Sequence, residues 1–446
     1  MLGGIAFRWI LNSIYASLLI AFTPWMMWQT WRTGKYREGW NEKLLGRVPK
    51  RTADRPCVWF HAVSVGEMQL LRPLIQEFAQ RWPSWEIVIS STTITGRKLA
   101  RESYPHYSTF YMPVDFSWAI SRAFQRLRPN LIVLAELELW PNLLTLAQQH
   151  EIEVAIVNGR LSERSFKGYQ KIRFLTRSML SKLNCVAAQN ETYAGRFIAL
   201  GANRDIVRTT GSIKFDGANA DQNHAEVVSR RVWAGLSQED QVWCVGSTQD
   251  PEEAMALEIF LRQRIRFPKL KLIVVPRHAE RFDSVASLLE KSALRVIRRS
   301  NHSSSTRGEW DILLIDTIGE LRWWWGVADL ATVGGSFGTR GGQNMIEPCA
   351  YGACVSFGPN TRNFRDIVDE LLRLNAASEL ADSAALERWV ETNLTEPTLA
   401  AEQGKMAADW VATHLGATRR TADLLTHSVE LQHRAQTLPF RQREAA

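Results

Sequence analysis

Four residues stand where an α/β protein usually does its chemistry. Glu67 lies in HAVSVGEMQLLRPLI (61–75), where an apolar strand ends in a Ser/Gly turn and a helix opens with an acid. Gly66 permits the tight turn, and Glu67 falls in the first helical turn, towards the cleft at the strand ends. A carboxylate there has two readings. It complements the positive end of the helix, or, if Phe60, Val65 and Met68 bury it and hold its pKa up, it acts as a base. AELELWPNLL closes another apolar run, and its spacing puts Glu136 and Glu138 on one side of a strand, with Trp140 and Pro141 opening the next helix. Those acids either pair with Arg160 or Arg164 or hold another active group in position. Lys214, in GSIKFD (211–216), stands just before a polar linker, where it can neutralise an anionic leaving group.

A second set suits a phosphorylated ligand. PRHAERF (276–282) offers Arg277 and His278 at a strand end. GGSFGTRGGQNMIEPCAYG (334–352) is glycine-rich, so its backbone N–H groups are expected to be accessible. Asn344, Ile346 and Glu347 then begin a helix whose N-terminus can hold a phosphate. The Glu347 carboxylate can accept from two adjacent ribose hydroxyls. A nicotinamide site is disfavoured, because the glycine spacing is not G-x-G-x-x-G in a first βα unit. No Walker loop, zinc spacing or Ser/His/Asp order is found, so neither metal nor cofactor is expected. The stretch 160–182 intersperses Arg160, Arg164, Lys167, Lys171, Arg173, Arg177 and Lys182 among apolar residues. It suits an anionic lipid head group or membrane surface, or is a solvated basic helix face.

The elements that must position these residues read as two α/β series. Apolar runs at 57–62, 86–91, 108–113, 131–136, 153–158 and 184–189 alternate with helical patterns, and a second series runs through 241–247, 270–276, 294–299, 311–316, 328–335 and 354–358. Their near-continuous hydrophobicity fits strands buried on both faces of parallel sheets. The expected fold class is α/β, two doubly wound Rossmann-like domains facing a cleft. The expected division is an anchor and basic flank over 1–50, a first domain over 51–215, a linker over 216–235, a second domain over 236–400, and a C-terminal helix and tail over 401–446.

Composition bounds the rest. The chain has 446 residues, a net charge of +8, 45% hydrophobic residues and 18 tryptophans, which excludes a disordered chain or a small disulfide scaffold. Its five cysteines lack paired spacing and read as buried thiols. Trp9 to Trp28 is an uncharged run of twenty residues, long enough to span a bilayer or to lie in its surface. Arg32, Lys35, Arg37, Lys43, Arg47 and Lys50 follow it, against Arg8 before it, so the positive-inside rule puts the remaining chain in the cytoplasm. A buried core helix is the competing reading.

Taken together, KYREGWNEKLLGRVP, HAVSVGE, SSTTITG, ELELWPNLL, NGRLSERSFKGY, GSIKFD, VPRHAERF, DTIGEL, ADLATVGGSF, GGQNMIEP and GPNTRNF resemble the 3-deoxy-D-manno-octulosonic acid (Kdo) transferase family over almost the whole chain. The resemblance implies a GT-B glycosyltransferase, inverting and metal-independent, on the cytoplasmic side of the inner membrane. It implies transfer of Kdo from CMP-Kdo to the acylated disaccharide bisphosphate precursor of lipid A. By the same resemblance Glu67 is the general base, and Glu136 and Lys214 stabilise the transition state. CMP binding falls on Pro276, Arg277, Ile318, Gly319, Glu320, Asn344, Met345, Ile346 and Glu347. Arg160, Arg164 and Lys167 are candidates for the acceptor, and nucleic acid is not needed to explain the charge.

Two positions depart from the family pattern. Gln249 and Gln343 stand where the family usually has histidines, and Met345 and Ile346 replace Pro-Leu. A neutral amide keeps a hydrogen bond but not a charge. The alternatives are therefore a GT-B transferase for another nucleotide sugar and a non-catalytic carbohydrate-binding protein of the same fold.

Overall fold

The computed structural model describes residues 2–33, 38–218, 220–301 and 308–437. The chain divides into two compact units, Met1–Gly217 with Gly416–Ala446, and Ala218–Leu415.

The first unit is built on seven parallel strands, β1 (Cys57–Ala62), β2 (Glu86–Ser91), β3 (Ser108–Tyr111), β4 (Leu131–Ala135), β5 (Glu153–Gly159), β6 (Cys185–Ala188) and β7 (Val207–Thr209), in the order β3-β2-β1-β4-β5-β6-β7. The order reverses between β1 and β4, where Phe60 sits in register with Val133. Both faces of the sheet are covered. Trp59 packs on one side with Phe110 and Phe124, whereas its neighbour Phe60 packs on the other against Phe78. Each such side chain contributes about 1.5–3 kcal/mol by leaving water.

Its helices include α1 (Leu2–Thr33), α2 (Trp40–Leu45), α3 (Val65–Arg81), α4 (Ile94–Ser103), α5 (Ser117–Leu127), α6 (Pro141–Gln149), α7 (Glu163–Lys171) and α8 (Arg173–Leu180). Side-chain caps start several of them: Ser64 accepts from the Glu67 N–H, Thr93 from that of Gly96, and Ser162 from that of Ser165. The C-terminal helix Ala417–Thr437 returns to this unit. Ala417, Ala422, Leu425 and Val429 join the Phe60 cluster, Arg420 donates to the Thr210 carbonyl at 2.8 Å, and Asp216 accepts from the Gly416 N–H at 2.6 Å.

The second unit repeats the plan with β8 (Gln241–Thr248), β9 (Leu270–Pro276), β10 (Val296–Arg298), β11 (Ile312–Leu314), β12 (Leu330–Val333), β13 (Cys354–Phe357) and β14 (Ser378–Glu379), in the order β10-β11-β9-β8-β12-β13-β14. Its order reverses at β8. Within the stretch expected as linker, residues 225–234 form a helix, and the indole N–H of the buried Trp310 donates to the Ala234 carbonyl at its end at 2.8 Å. The helix Pro397–His414 also belongs here, with Gly404 against the Gly352 carbonyl, where a Cβ would come within 2.0 Å.

Candidate functional site

The reversal of strand order between β1 and β4 opens the carboxyl ends of these strands, the usual place for a ligand in such a sheet. Two of the expected acids come from there. Glu67 follows β1 at the third position of α3. Its carboxylate accepts from the Val63 N–H at 2.8 Å and the Ser64 hydroxyl at 2.9 Å. Burial pushes its pKa up, opposed by those hydrogen bonds, while the negative charge of Glu136 adds to the rise. Phe60 and Met68 are buried beside the turn, but Val65 is exposed and is not part of the apolar cover.

Glu136 does not continue the strand. β4 ends at Ala135, and Glu136 takes a left-handed φ of 57° while its N–H donates to the Val157 carbonyl at 2.9 Å. The expected strand alternation therefore does not apply to Glu136 and Glu138, yet both still reach one place. Glu67, Glu136, Leu137, Glu138, Arg160, Ser162, Ser165 and Tyr169 line a single cavity of about 410 Å³. The Trp140 indole N–H donates to Glu138 at 2.9 Å. Burial first, and the Glu67 charge second, push Glu138 up to about 7. His61, in the same motif as Glu67, takes no part: it is fully buried in β1 beside the Ser90 hydroxyl at 2.8 Å, and burial lowers its pKa to about 4.

Of the candidate acceptor residues, the cavity takes Arg160 but not Arg164 or Lys167. The last two are exposed on α7, and Lys167 pairs with Glu163 at 2.6 Å. Lys214 lies in the turn after β7, outside the cavity lining. That turn is held by Asn158, left-handed at φ 54°, whose side-chain oxygen accepts from the Ile213 N–H at 3.0 Å.

In the second unit the candidate donor residues also follow strand ends. Pro276 closes β9, and the Arg277 N–H donates to the Thr248 carbonyl of β8 at 3.0 Å. Ile318 and Gly319 follow β11 and are exposed, with Gly319 at φ 87°. Glu320 beside them is engaged by Arg299 at 3.1 Å and Arg230 at 3.5 Å. Met345 and Ile346 are buried, so their side chains pack while their backbone frames the turn. Glu347 accepts from the Asn344 amide at 3.1 Å; burial raises its pKa, and the charges of Arg322 and Arg277 oppose the rise.

One expectation is overturned here. The glycine-rich loop does not present free N–H groups at its start: the buried Glu252 carboxylate accepts from Gly335 at 2.8 Å, Ser336 and Phe337 at 3.0 Å each, and Gln249 at 2.9 Å. Glu252 fills that concavity with the protein's own anion. The helix that follows, Ile346–Ala350, is five residues long, and its Ile346 N–H is already taken by the Asn344 side chain at 3.1 Å.

The family model described as 3-Deoxy-D-manno-octulosonic-acid transferase (kdotransferase) matches residues 38–217. A 3-deoxy-D-manno-octulosonic acid transferase of Bordetella pertussis is 33% identical over 429 residues, covering 93% of this chain and 98% of that one. The chain belongs to the Kdo transferase family. It is accordingly a glycosyltransferase. The fold is shared with the UDP-GlcNAc 2-epimerase from Neisseria meningitidis bound to UDP-GlcNAc, at 10% identity over 83% of this chain and all of that one, with a TM-score of 0.55. The C-terminal CMP-Kdo binding domain of WaaA from Acinetobacter baumannii is 31% identical over 42% of this chain and 97% of that chain, with a TM-score of 0.39.

For this Kdo transferase family member, the structure adds residues that sequence reasoning passed over. Trp140 was read only as a helix opener, yet it orients Glu138. Arg322 was not singled out, although its charge acts on Glu347 and its guanidinium lies 4.3 Å from the Trp323 ring centroid. Glu252 carried a signal in the acidic pair Glu252–Glu253, but nothing in the sequence says that the glycine loop folds over it.

Proposed function

We propose that this Kdo transferase family member moves Kdo from CMP-Kdo to the acylated disaccharide bisphosphate precursor of lipid A, at the cytoplasmic face of the inner membrane, with inversion and with no metal in the step. The observation that carries the reading is Glu67, a carboxylate whose pKa is raised by burial and which lines a cavity at the carboxyl end of β1. Burial makes such a group a stronger base than an exposed carboxylate.

The acceptor hydroxyl attacks the anomeric carbon of Kdo as the bond from that carbon to the CMP phosphate oxygen breaks. Its proton passes to Glu67, and the bonding electron pair leaves with CMP. The centre passes through oxocarbenium character, which nearby negative charge stabilises. Glu136, turned into the same cavity by its left-handed backbone, has that role. Lys214 and Arg277 balance the charge growing on the leaving phosphate. Pro276, Ile318, Gly319, Glu320, Asn344, Met345, Ile346 and Glu347 complete the CMP site, with Glu347 accepting from the ribose hydroxyls. Arg160 serves the acceptor's phosphate; Arg164 and Lys167, exposed on α7, remain with the membrane-facing charge.

A second reading rests on Gln249 and Gln343, whose amide nitrogens lie 3.4 and 3.2 Å from where a Cβ on Gly335 would stand. Two neutral amides there suit a donor whose sugar carries no carboxylate. Incubating the purified full chain and acceptor with CMP-Kdo, and separately with UDP-sugars, decides between them. CMP release that depends on the acceptor supports Kdo transfer; turnover of UDP-sugars alone rejects it.

A further inference from the structure

α1 is long and apolar enough to cross a membrane over Arg8–Arg32, but its first turns are fastened to the first unit. Asn12 is buried. Its amide donates to the Ser117 hydroxyl at 2.8 Å, and its carbonyl accepts from the Ser117 N–H at 3.1 Å and the Asn142 amide at 3.2 Å. One turn on, the Tyr15 hydroxyl donates to Asp115 at 3.2 Å, while Asp115 itself accepts from the Asn142 and Leu143 N–H groups at the start of α6. Arg8 donates to Gln149 at 3.2 Å. The bonds of Asn12 and Tyr15 are directional and at least partly buried, and a helix leaving the protein for hydrocarbon would have to forgo them.

The chain after α1 is tied to the same place. The Trp118 indole N–H donates to the Leu44 carbonyl at 3.0 Å, the Val114 N–H to the Lys43 carbonyl at 2.8 Å, and Arg97 pairs with Glu42 at 3.0 Å. Gly39, at φ 82°, lies so close to Tyr111 that a Cβ would come within 2.1 Å of its ring. Asn12 and Leu44 therefore dock on consecutive residues of α5, Ser117 and Trp118. At about 1.5 Å per residue, the helix from Asn12 to Thr33 is roughly 32 Å long. A crossing would leave Thr33 beyond a hydrocarbon core about 30 Å thick. The six residues 34–39 reach at most about 22 Å, and an extended return through lipid would leave their backbone groups unbonded.

We infer that α1 does not span the bilayer but lies in the plane of the cytoplasmic leaflet as an interfacial helix, fastened near its start to the unit that carries Glu67 and followed by chain tied to that same unit. The inference rests on the membrane attachment proposed above. Shielded residues recur at Asn12, Tyr15, Leu19, Thr23, Met26 and Thr30, three or four apart, which marks one face of the helix. Large apolar side chains dominate the remaining surface, with Trp9, Ile14, Leu18, Trp25, Trp28 and Trp31 exposed. Tryptophan is the residue that settles at the water–lipid boundary. Exposed Arg32, with Lys35 and Arg37 following in the sequence, supplies the charge that favours an anionic leaflet.

The test is thiol labelling of the full chain in spheroplasts of a Gram-negative host. All five native cysteines are buried, so a cysteine introduced as Gly4→Cys, or separately as Gly3→Cys, reports alone. A membrane-impermeant maleimide applied outside is expected to leave both variants unlabelled until the cells are broken, with the protein in the membrane fraction throughout. Labelling of either variant on intact spheroplasts would overturn the in-plane placement and show a crossing. Recovery of the protein in the soluble fraction would instead overturn the membrane attachment itself.

Discussion

The Trp140 indole N–H donates at 2.9 Å to the carboxylate of Glu138, which lines the same cavity as Glu67 and Glu136. Three carboxylates share that space, and burial with the Glu67 charge pushes Glu138 up to about 7. A group whose pKa rises on folding contributes stability that is complete below its unfolded pKa and is lost as pH climbs through the folded value. Glu138→Gln removes the ionisation. The variant is expected to match the parent near pH 4 and to exceed it at pH 8 by about 1 kcal/mol, allowing for solvent screening of a half-buried site. Urea midpoints at the two pH values read this directly; a variant weaker at pH 8 would contradict the placement.

Glu67→Gln keeps an oxygen for the Val63 N–H but cannot take a proton. Transfer is expected to fall by about 10²-fold or more while CMP affinity stays unchanged. Calorimetric titration with CMP beside a turnover assay separates the two. A parallel loss of both would make Glu67 a cap for α3 and nothing more.

Glu252 holds the glycine-rich loop from inside by three of its backbone N–H groups and accepts a fourth from Gln249. Glu252→Ala leaves those donors buried without an acceptor, a cost on the order of 3 kcal/mol or more. Chemical denaturation is expected to show that loss together with weaker CMP binding, and Glu252→Gln to recover part of each. An unchanged midpoint would mean the loop is held elsewhere.

Asn12→Leu makes the N-terminal helix more apolar, so a helix buried in lipid would tolerate it. Docked on Ser117 and Asn142, the same change is expected to destabilise the first unit by about 1–3 kcal/mol. Thermal unfolding in detergent measures it, and an unchanged transition would argue against the strap.

Much of the framework could be read from the chain because buried parallel strands are continuous apolar runs. The runs at 57–62, 86–91 and 270–276 coincide with β1, β2 and β9. Edge strands β7 and β14 escaped, since VRT and SE are too short and too polar to form an apolar run and owe their place to the neighbouring strand. The acids at the ends of β1 and β4 were visible by type and position. Their convergence was not: Glu136 arrives through a left-handed residue rather than by strand alternation. The glycines of 334–352 suggested accessible backbone N–H groups, whereas the tertiary fold brings Glu252 from another element against those of Gly335, Ser336 and Phe337. The uncharged run from Trp9 to Trp28 was legible as a membrane candidate, but not that its Asn12 is a docking point.

The proposed reaction is tested most directly by the mass of the lipid product after incubating the purified full chain with CMP-Kdo and the acylated disaccharide bisphosphate. The expected result is a lipid heavier by whole Kdo residues, formed by the parent protein and not by Glu67→Gln. An unmodified lipid, with CMP-Kdo intact and the protein folded, would contradict Kdo transfer as its activity.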